Sequence, residues 1–292
     1  MKVNLIFKKY LEFIALTRSA GTKNWYCEYL NHFVTHSGIK CLDDINEEVL
    51  SAYFISKKTE AGNSTLNKSI GIIRRALNYY NIEIPYINNL KRLKESVVRY
   101  QIVEAADLGK ILRYCDKLPQ TKNNLTYSML INSLIDTGAR ISELLNAKIE
   151  DAKIYNRDIV LKHTKSSIER SIPFSEYTSA LYQKRIDTKV NSDYLFYNFT
   201  KKRPYSYEDV VSLFRKLMAE LHINTLHSHM FRHTFATTFL ETNGNIFALS
   251  TLLGHSNVTT TMRYLHENQI HNQKLAKAYL AAIQLSRVDS SN

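Results

Sequence analysis

The sequence predicts a mainly α-helical protein with one small antiparallel β-sheet, an α+β class, divided into an N-terminal helical bundle and a larger second domain. Three observations lead to this prediction. The chain has 292 residues, which is long for one domain and suits two. Apolar residues recur at intervals of three and four along most of it, as they do in amphipathic helices. The period becomes that of strands only around residues 158–174.

Helical periodicity organises the N-terminal region, which we predict to be a bundle over residues 1–88. Apolar stripes predict three of its four helices, at Leu5–Phe13, Trp25–Phe33 and Ser64–Tyr80. The N-capping residue Asn46 predicts the start of the fourth. Residues 89–103 are polar and basic and show no clear helical stripe. We therefore predict a linker there and a second domain over residues 104–292.

The second domain combines helices with a hairpin. Its first helices are predicted at Ala105–Leu118 and Leu125–Thr137, and a third begins near Arg140 after a turn at Gly138. Two β-prone segments, Asp158–Leu161 and Ile168–Phe174, flank a polar stretch, which predicts a hairpin with Lys165 in its turn. Helices are expected to resume at Ser206, an N-capping residue followed by Glu208 and Asp209.

Composition narrows the class of partner. The net charge of +12 favours a polyanion, because Lys and Arg gain affinity by displacing counterions from nucleic acid. The three cysteines, Cys27, Cys41 and Cys115, are too widely spaced to predict a disulfide framework or a zinc site. No signal peptide is recognisable and no apolar run approaches about 18 residues. We expect a cytoplasmic, nucleoid-associated protein without a membrane partner.

Three segments carry residues suited to phosphodiester chemistry. In the helical stretch 228–237, His229 and Arg232 stand three positions apart and share a face, which suits binding of phosphoryl oxygens; an ordinary basic helix face is the alternative. Farther on, Gly254 can end a helix, placing His255 in the turn and Tyr264, one of 19 tyrosines, on the next helix.

The third segment contains Arg140 and Glu143, again three positions apart. Glu143 is placed to orient Arg140 or a neighbouring histidine through a charge-assisted hydrogen bond, and a surface salt bridge is the alternative.

In this order and spacing, the three segments resemble the signature boxes of the tyrosine recombinase (phage integrase) family, in its two-domain, Xer-like form. They match the first-arginine box, the His-x-x-Arg box, and the Leu-Gly-His box that is followed nine residues later by tyrosine. The residues that match the family's catalytic set are Arg140, Lys165, His229, Arg232, His255 and the nucleophile Tyr264, with Glu143 as a supporting residue. The family's Gly-Lys-Gly turn is replaced here by Thr164-Lys165-Ser166, and Lys162 is the substitute candidate.

The resemblance implies a metal-free and cofactor-free reaction. Tyr264 would form a 3′-phosphotyrosyl link, Arg140 and Arg232 would neutralise the phosphate, His229 and His255 would donate hydrogen bonds to it, and Lys165 would protonate the leaving 5′-oxygen. The sequence shows no compact carboxylate cluster for a two-metal nuclease.

The resemblance also implies partners. The bundle would be a core-binding (SAM-like) DNA-binding domain, and four protomers would act on double-stranded DNA sites through a Holliday junction, with accessory proteins possible. Residues expected to contact DNA are Arg74, Arg75, Lys91, Arg92 and Lys94. An apolar stripe over residues 275–283 would dock onto a neighbouring protomer, or else pack within its own chain.

Two other functions use similar residues or the same fold. A type IB topoisomerase relaxes DNA with Arg, Lys, His and Tyr, but the Leu-Gly-His box and the short chain favour a recombinase. A non-catalytic DNA-binding protein would keep the fold and lose the tyrosine or an arginine, and neither is missing here. The sequence does not choose between integration, excision and resolution.

Overall fold

The computed structural model describes residues 2–95, 100–162, 169–242 and 244–267. The chain divides into two compact units, Met1–Val98 and Arg99–Asn292. No helix within the described ranges combines the length and the apolar character needed to cross a membrane.

The first unit is a helical bundle, as the apolar periodicity predicts. Its described helices are α1 (Val3–Thr17), α2 (Ala20–Ser37), α3 (Glu47–Glu60), α4 (Asn63–Tyr79) and α5 (Pro85–Asn89), with a 3-10 turn at Leu42–Asp44. The predicted cap is present, since the side chain of Asn46 accepts a hydrogen bond from the backbone N–H of Val49. The apolar faces of α1 to α4 meet in one core around residues such as Leu30, Leu50 and Ile73.

The polar segment that follows the bundle is ordered against α4. Proline begins the short helix α5, for which the sequence showed no stripe, because its fixed φ suits the first helical position. Beyond α5, the side chain of Asn67 accepts a hydrogen bond from the backbone N–H of Leu93 and donates to the carbonyl of Leu93 and to Glu95. The described part of the predicted linker up to Glu95 is therefore tied to the first unit.

The second unit combines helices with short strands. Its described helices are α6 (Ala105–Lys117), α7 (Lys122–Thr137), α8 (Ile141–Asn146), α9 (Glu176–Asp187), α10 (Tyr207–Leu221), α11 (Ser228–Glu241), α12 (Ile246–Leu253) and α13 (Thr259–Glu267). Its described strands are β1 (Ala152–Lys153), β2 (Asp158–Leu161), β3 (Arg170–Pro173), β4 (Tyr197–Asn198) and β5 (Arg203–Pro204). A 3-10 turn at Ile149–Asp151 leads into β1.

The predicted antiparallel pairing is confirmed. Strands β2 and β3 pair with Ile159 opposite Ile172 and Leu161 opposite Arg170, and β1 adds to the other edge of β2. The turn predicted to carry Lys165 lies outside the described residues. Strands β4 and β5 form a separate two-stranded ribbon that the sequence analysis did not predict, because two-residue strands show no measurable alternation.

The expectation that helices resume at Ser206 is wrong, because α9 precedes it. Ser175 caps α9 by accepting from the backbone N–H of Thr178. The helix escaped detection because its buried face includes Arg185, which interrupts the apolar stripe. That guanidinium is fully buried and donates to the carbonyls of Tyr194 and Leu195. Ser206 is nevertheless the N-cap of α10, as predicted.

Helix α7 is the central element of the second unit. Its residues Met129, Leu130, Ile131 and Leu134 are fully buried, and it packs against α9 and α11. It ends at Gly138, which adopts the left-handed conformation with φ +55° and turns the chain into α8. The start of α8 is thereby brought beside α11.

Candidate active site

Arg140 and Glu143 form a closed unit at the start of α8. The backbone N–H of Arg140 donates to Oε2 of Glu143 at 2.8 Å, and Nη1 of Arg140 donates to Oε1 at 2.9 Å. Glu143 is buried, so the pair is not a surface salt bridge. The carboxylate caps the helix and orients the arginine at the same time.

Arg170 of β3 binds the other side of the same carboxylate. Its Nη2 and Nη1 donate to the two oxygens of Glu143 at 2.7 and 3.1 Å, and its Nε donates to the carbonyl of Leu252 at 2.7 Å. Burial alone would raise the pKa of Glu143, but the bonds and charge of Arg170, with those of Arg140, hold it below its usual value. Glu143 is thus a charged clamp between two arginines.

Arg232 lies on α11 and is almost fully buried. Its Nη1 donates to the carbonyl of Gly138 at 3.0 Å, and its Nη2 donates to the carbonyl of Leu253 at 2.7 Å and to Nε2 of His255 at 2.9 Å. Burial, followed by the charge of Arg140, lowers the pKa of this guanidinium to about 10. Arg232 therefore remains a cation at neutral pH.

His255 stands in the turn after α12, where Gly254 adopts φ +64°. A guanidinium can only donate, so Nε2 of His255 accepts from Arg232 and the proton of the neutral ring lies on Nδ1. That Nδ1 donates to Oγ1 of Thr261 at 2.8 Å. Burial and the nearby positive charge of Arg232 lower the pKa of His255 to about 4. The ring is neutral at pH 7.

His229 occupies the first turn of α11, one turn before Arg232. It is exposed, and its ring nitrogens make no hydrogen bond with any residue that the structure describes. Partial burial, then the charges of Arg232, His227 and Arg140, lower the pKa of His229. A neutral, accessible imidazole beside the two arginines is available to an incoming ligand.

Tyr264 lies on α13 and is only 4% exposed. It packs in a small apolar cluster with residues of α11 and α12, including Leu240 and Leu253. Its hydroxyl oxygen is 2.9 Å from Nδ1 of His233, the residue that follows Arg232. The ring of Tyr100 lies 5.3 Å from that of Tyr264.

The carbonyl of Leu253 joins these groups. It accepts from Arg232 at 2.7 Å and from Nη1 of Arg140 at 3.5 Å, so both guanidinium groups meet at the end of α12. The predicted residues Arg140, Glu143, Arg232 and His255 are therefore in one network. His229 and Tyr264 flank it on α11 and α13.

The other predicted residues lie in the first unit or outside the described residues. Lys165 lies outside the described residues. The basic residues expected to contact DNA belong to the first unit, where Arg75, Lys91, Arg92 and Lys94 are exposed. Within the described ranges, no group of three His, Cys, Asp or Glu side chains is placed to hold a metal ion.

Four residues of the site were missed by the sequence analysis: Tyr100, Arg170, His233 and Thr261. One of them had a detectable signal. Arg170 shares the inward face of β3 with Ile172, and a charged residue at an inward position requires a buried partner. The others lack such a signal, because their contacts join segments that are distant in the sequence.

The sequence is similar to those of known integrases and recombinases. The sequence model described as the phage integrase family matches residues 101–271. A probable integrase/recombinase of Acholeplasma phage L2 is 28% identical over 276 residues, which are 92% of this chain and 94% of that protein. The tyrosine recombinase XerA of Saccharolobus solfataricus is 31% identical over 211 residues, 72% of this chain and 66% of that protein.

Solved structures share the fold. The Tn1549 transposon integrase in complex with transposon right end DNA superposes with a TM-score of 0.77 at 19% identity, over 94% of this chain and 100% of that chain. The XerH site-specific recombinase bound to its palindromic difH substrate superposes with a TM-score of 0.73 at 19% identity, over 94% of this chain and 84% of that one.

Proposed function

The chain belongs to the phage integrase family and is a tyrosine site-specific recombinase, and from this premise we propose that Tyr264 is its nucleophile. Tyr264 attacks the scissile phosphate, giving a 3′-phosphotyrosyl link and a free 5′-hydroxyl. The bond energy is kept in the link, so rejoining needs no nucleotide cofactor. The convergence of Arg140 and Arg232 on the Leu253 carbonyl, beside the helix that carries Tyr264, is the observation that carries this proposal.

Two arginines suit the phosphorane that forms during the attack. Each guanidinium is fixed by acceptors of the protein, Arg140 by Glu143 and Arg232 by two carbonyls, so no reorganisation is needed when the negative charge develops. Arg232 uses three of its five N–H groups on described acceptors, which leaves donors for phosphoryl oxygens. This is electrostatic stabilisation by side chains of the kind that metal ions supply in other nucleases.

The histidines contribute differently. His229 is exposed and neutral, and donates a hydrogen bond to the phosphate from its N–H. His255 cannot donate from Nε2 while that atom accepts from Arg232. A donor role for His255 therefore requires Nε2 to lose the hydrogen bond from Arg232 and to gain a proton, by protonation of the ring or by a change of tautomer.

Lys165 is the proposed general acid for the 5′-oxygen. The alternative, Lys162, is ion-paired with Asp151 at 2.5 Å and with Glu150 at 3.4 Å. The hydrogen bond to Asp151 raises the pKa of Lys162, which makes it a poorer proton donor. The contacts of Lys162 thus favour Lys165.

The proposed partner is a double-stranded DNA recombination site, bound by both units. In the first unit, Arg75, Lys91 and Lys94 are exposed and suited to phosphate contacts. Arg74 instead donates to the carbonyls of Ile87 and Leu90 and holds α5 on α4, so we assign it a smaller share of DNA binding.

The proposed assembly is a homotetramer that exchanges strands through a Holliday junction in the cytoplasm, with accessory proteins as further partners. The apolar residues 275–283, which lie outside the described residues, are the proposed docking segment between protomers.

A suicide-substrate assay tests the nucleophile. The protein is incubated in EDTA with nicked duplexes that carry its candidate flanking site, and an adduct stable to SDS is expected. Tyr264→Phe should abolish the adduct while leaving DNA binding intact. The control Tyr207→Phe, at an exposed tyrosine, should still form the adduct. An adduct that persists in Tyr264→Phe would assign the nucleophile to another residue.

A further inference from the structure

The imidazole of His233 contacts the hydroxyl of Tyr264. Its Nδ1 lies 2.9 Å from the phenolic oxygen, within ordinary hydrogen-bond distance. The two side chains come from different helices, α11 and α13, which are 31 positions apart in the sequence. Because His233 follows Arg232 directly, the proposed nucleophile is linked to an arginine of the site through two adjacent residues of α11.

The imidazole of His233 is held by ring packing. The ring of Tyr100 stacks on it with centroids 4.1 Å apart and an interplanar angle of 23°, and the ring of Tyr264 lies 5.6 Å away at 52°. His229 approaches from one turn earlier on α11, with ring centroids 6.4 Å apart. Stacking on Tyr100 fixes the plane of the imidazole, and hence the direction in which Nδ1 points.

The charge state of His233 suits an acceptor. Burial, then electrostatic interactions with His229, Arg232 and His227, lower its pKa to about 4, so the ring is neutral at pH 7. A neutral imidazole has one nitrogen with a free lone pair, and a phenol always has a proton to donate. With the ring proton on Nε2, Nδ1 accepts from the hydroxyl of Tyr264.

We propose that His233 is a positioning residue for strand cleavage, which accepts the hydroxyl hydrogen bond of Tyr264 and thereby sets the direction of the attacking oxygen. Holding the hydroxyl proton at Nδ1 fixes the direction in which the phenolic O–H bond points. The inference rests on the proposed function of Tyr264 as nucleophile. Misplacement of a reacting atom by about 1 Å can cost roughly 100-fold in rate, which gives such positioning a measurable effect.

The same contact has a second interpretation, in which His233 restrains Tyr264 in the DNA-free protein. The two interpretations predict opposite changes in the cleavage rate when His233 is replaced. Removing a restraint accelerates cleavage, whereas removing a positioning contact slows it. The fixed stacking of the imidazole on Tyr100 and its location next to Arg232 favour positioning, since a ring held rigidly beside the site directs the oxygen rather than sequestering it.

Two substitutions of similar size separate the hydrogen bond from the packing. His233→Leu keeps the volume and the helix and removes the acceptor. His233→Asn places an amide oxygen at the same number of bonds from the backbone as Nδ1, and so restores an acceptor. A matched control is His222→Asn, at an exposed histidine with φ +53°, where asparagine is well tolerated.

The rate of adduct formation is measured in single-turnover suicide cleavage at saturating protein, with gel-shift binding to the same duplex as a measure of intact folding. We expect His233→Leu to slow cleavage about 10- to 100-fold with unchanged binding, and His233→Asn to recover most of the rate. The control should cleave like the unsubstituted protein.

Three results would overturn the inference: an unchanged rate in His233→Leu, a faster rate, or a rate in His233→Asn as low as in His233→Leu. The Tyr264→Phe variant, assayed in parallel, separates this inference from the proposed function. If Tyr264→Phe loses the adduct while His233→Leu cleaves normally, the nucleophile stands and only the role of His233 fails. If Tyr264→Phe still forms the adduct, the proposed nucleophile itself is wrong.

Discussion

Glu143 joins two arginines from different parts of the fold. It binds Arg140 of the same turn and Arg170 of β3, and both Glu143 and Arg170 are nearly inaccessible to solvent. A buried ion pair of this kind contributes little net stability compared with apolar residues. Removing one partner is destabilising, however, because the other charge stays buried without a counter-ion. The position of Arg140 depends on the same carboxylate, so stability and cleavage are coupled here.

We therefore expect Glu143→Ala to destabilise the second unit by about 3–5 kcal/mol, because Arg170 keeps its charge without the carboxylate. Urea unfolding followed by far-UV circular dichroism measures this, and adduct formation should fall with it. Glu176→Ala is the matched control, since its pair with Arg157 is exposed and 3.7 Å long, and should change stability by less than about 1 kcal/mol. Equal effects of the two substitutions would contradict the clamp.

Most side chains of the candidate site could be predicted from the sequence, but few of their hydrogen-bond partners could. Arg140, Arg232 and Tyr264 are specified by spacing that survives in a linear sequence. Thr261, which fixes the ring of His255, sits in a run of three threonines where nothing distinguishes it from its neighbours. Such supporting contacts form only between segments that folding brings together.

Among the elements, the end of α12 matters most, because Leu252 and Leu253 supply carbonyls to three arginines. Gly254 closes this end in the left-handed conformation at φ +64°. A Cβ at Gly254 would lie 2.7 Å from Nη1 of Arg170, which is itself held by Glu143 and Leu252. The turn thus combines a backbone requirement with a steric one.

Gly254→Ala should therefore cost more than its matched control, Gly38→Ala, which ends α2 at φ +67° with no atom within 4 Å of the added Cβ. The control should lose about 1–2 kcal/mol, the cost of a left-handed alanine. Gly254→Ala should lose more, and should reduce cleavage as His255 and Arg170 are displaced. Trp25, the single tryptophan, reports unfolding of the first unit by fluorescence, and circular dichroism reports both. Equal losses of stability in the two variants would show that the side chain of Arg170 moves away from the added Cβ at no energetic cost.

Helices with an apolar stripe or a good N-cap were predictable, as α4 and α10 show. Helix α9 was not predictable. Its buried Arg185 donates hydrogen bonds to backbone carbonyls, and such bonds cannot be read from a hydrophobicity pattern. The ribbon of β4 and β5 is fixed by its neighbours rather than by its own four residues.

For the whole molecule, neutral histidines surrounded by cations govern the response to acid. In the folded protein the pKa values of His233 and His255 are near 4, because burial and the charge of Arg232 oppose protonation. In the unfolded chain they return to about 6.5. Between these values the unfolded state binds more protons, so stability is complete above about pH 6.5 and declines as the pH falls.

We expect the free energy of unfolding of the second unit to fall between pH 6.5 and pH 5, by on the order of 2 kcal/mol for each of these histidines. This window lies above the range in which Glu143 takes up a proton, because the pKa of that carboxylate is lowered. Urea unfolding at a series of pH values measures the slope. His233→Asn should reduce it, since asparagine does not titrate. A slope that is unchanged in this variant would mean that the pKa of His233 is not lowered in the folded protein.

Arg232 is anchored where two helices finish. Its guanidinium binds the carbonyls of Gly138, at the end of α7, and Leu253, at the end of α12. The closing carbonyls of a helix carry a partial negative charge of about half an elementary charge, so together these two ends act as a surrogate anion for the buried cation. The DNA-free protein can therefore hold the buried Arg232 on helix-end carbonyls, without an ion pair to a carboxylate among the described residues. If Arg232 binds the scissile phosphate as we propose, the phosphate displaces no acidic side chain from it and meets a guanidinium that is already charged.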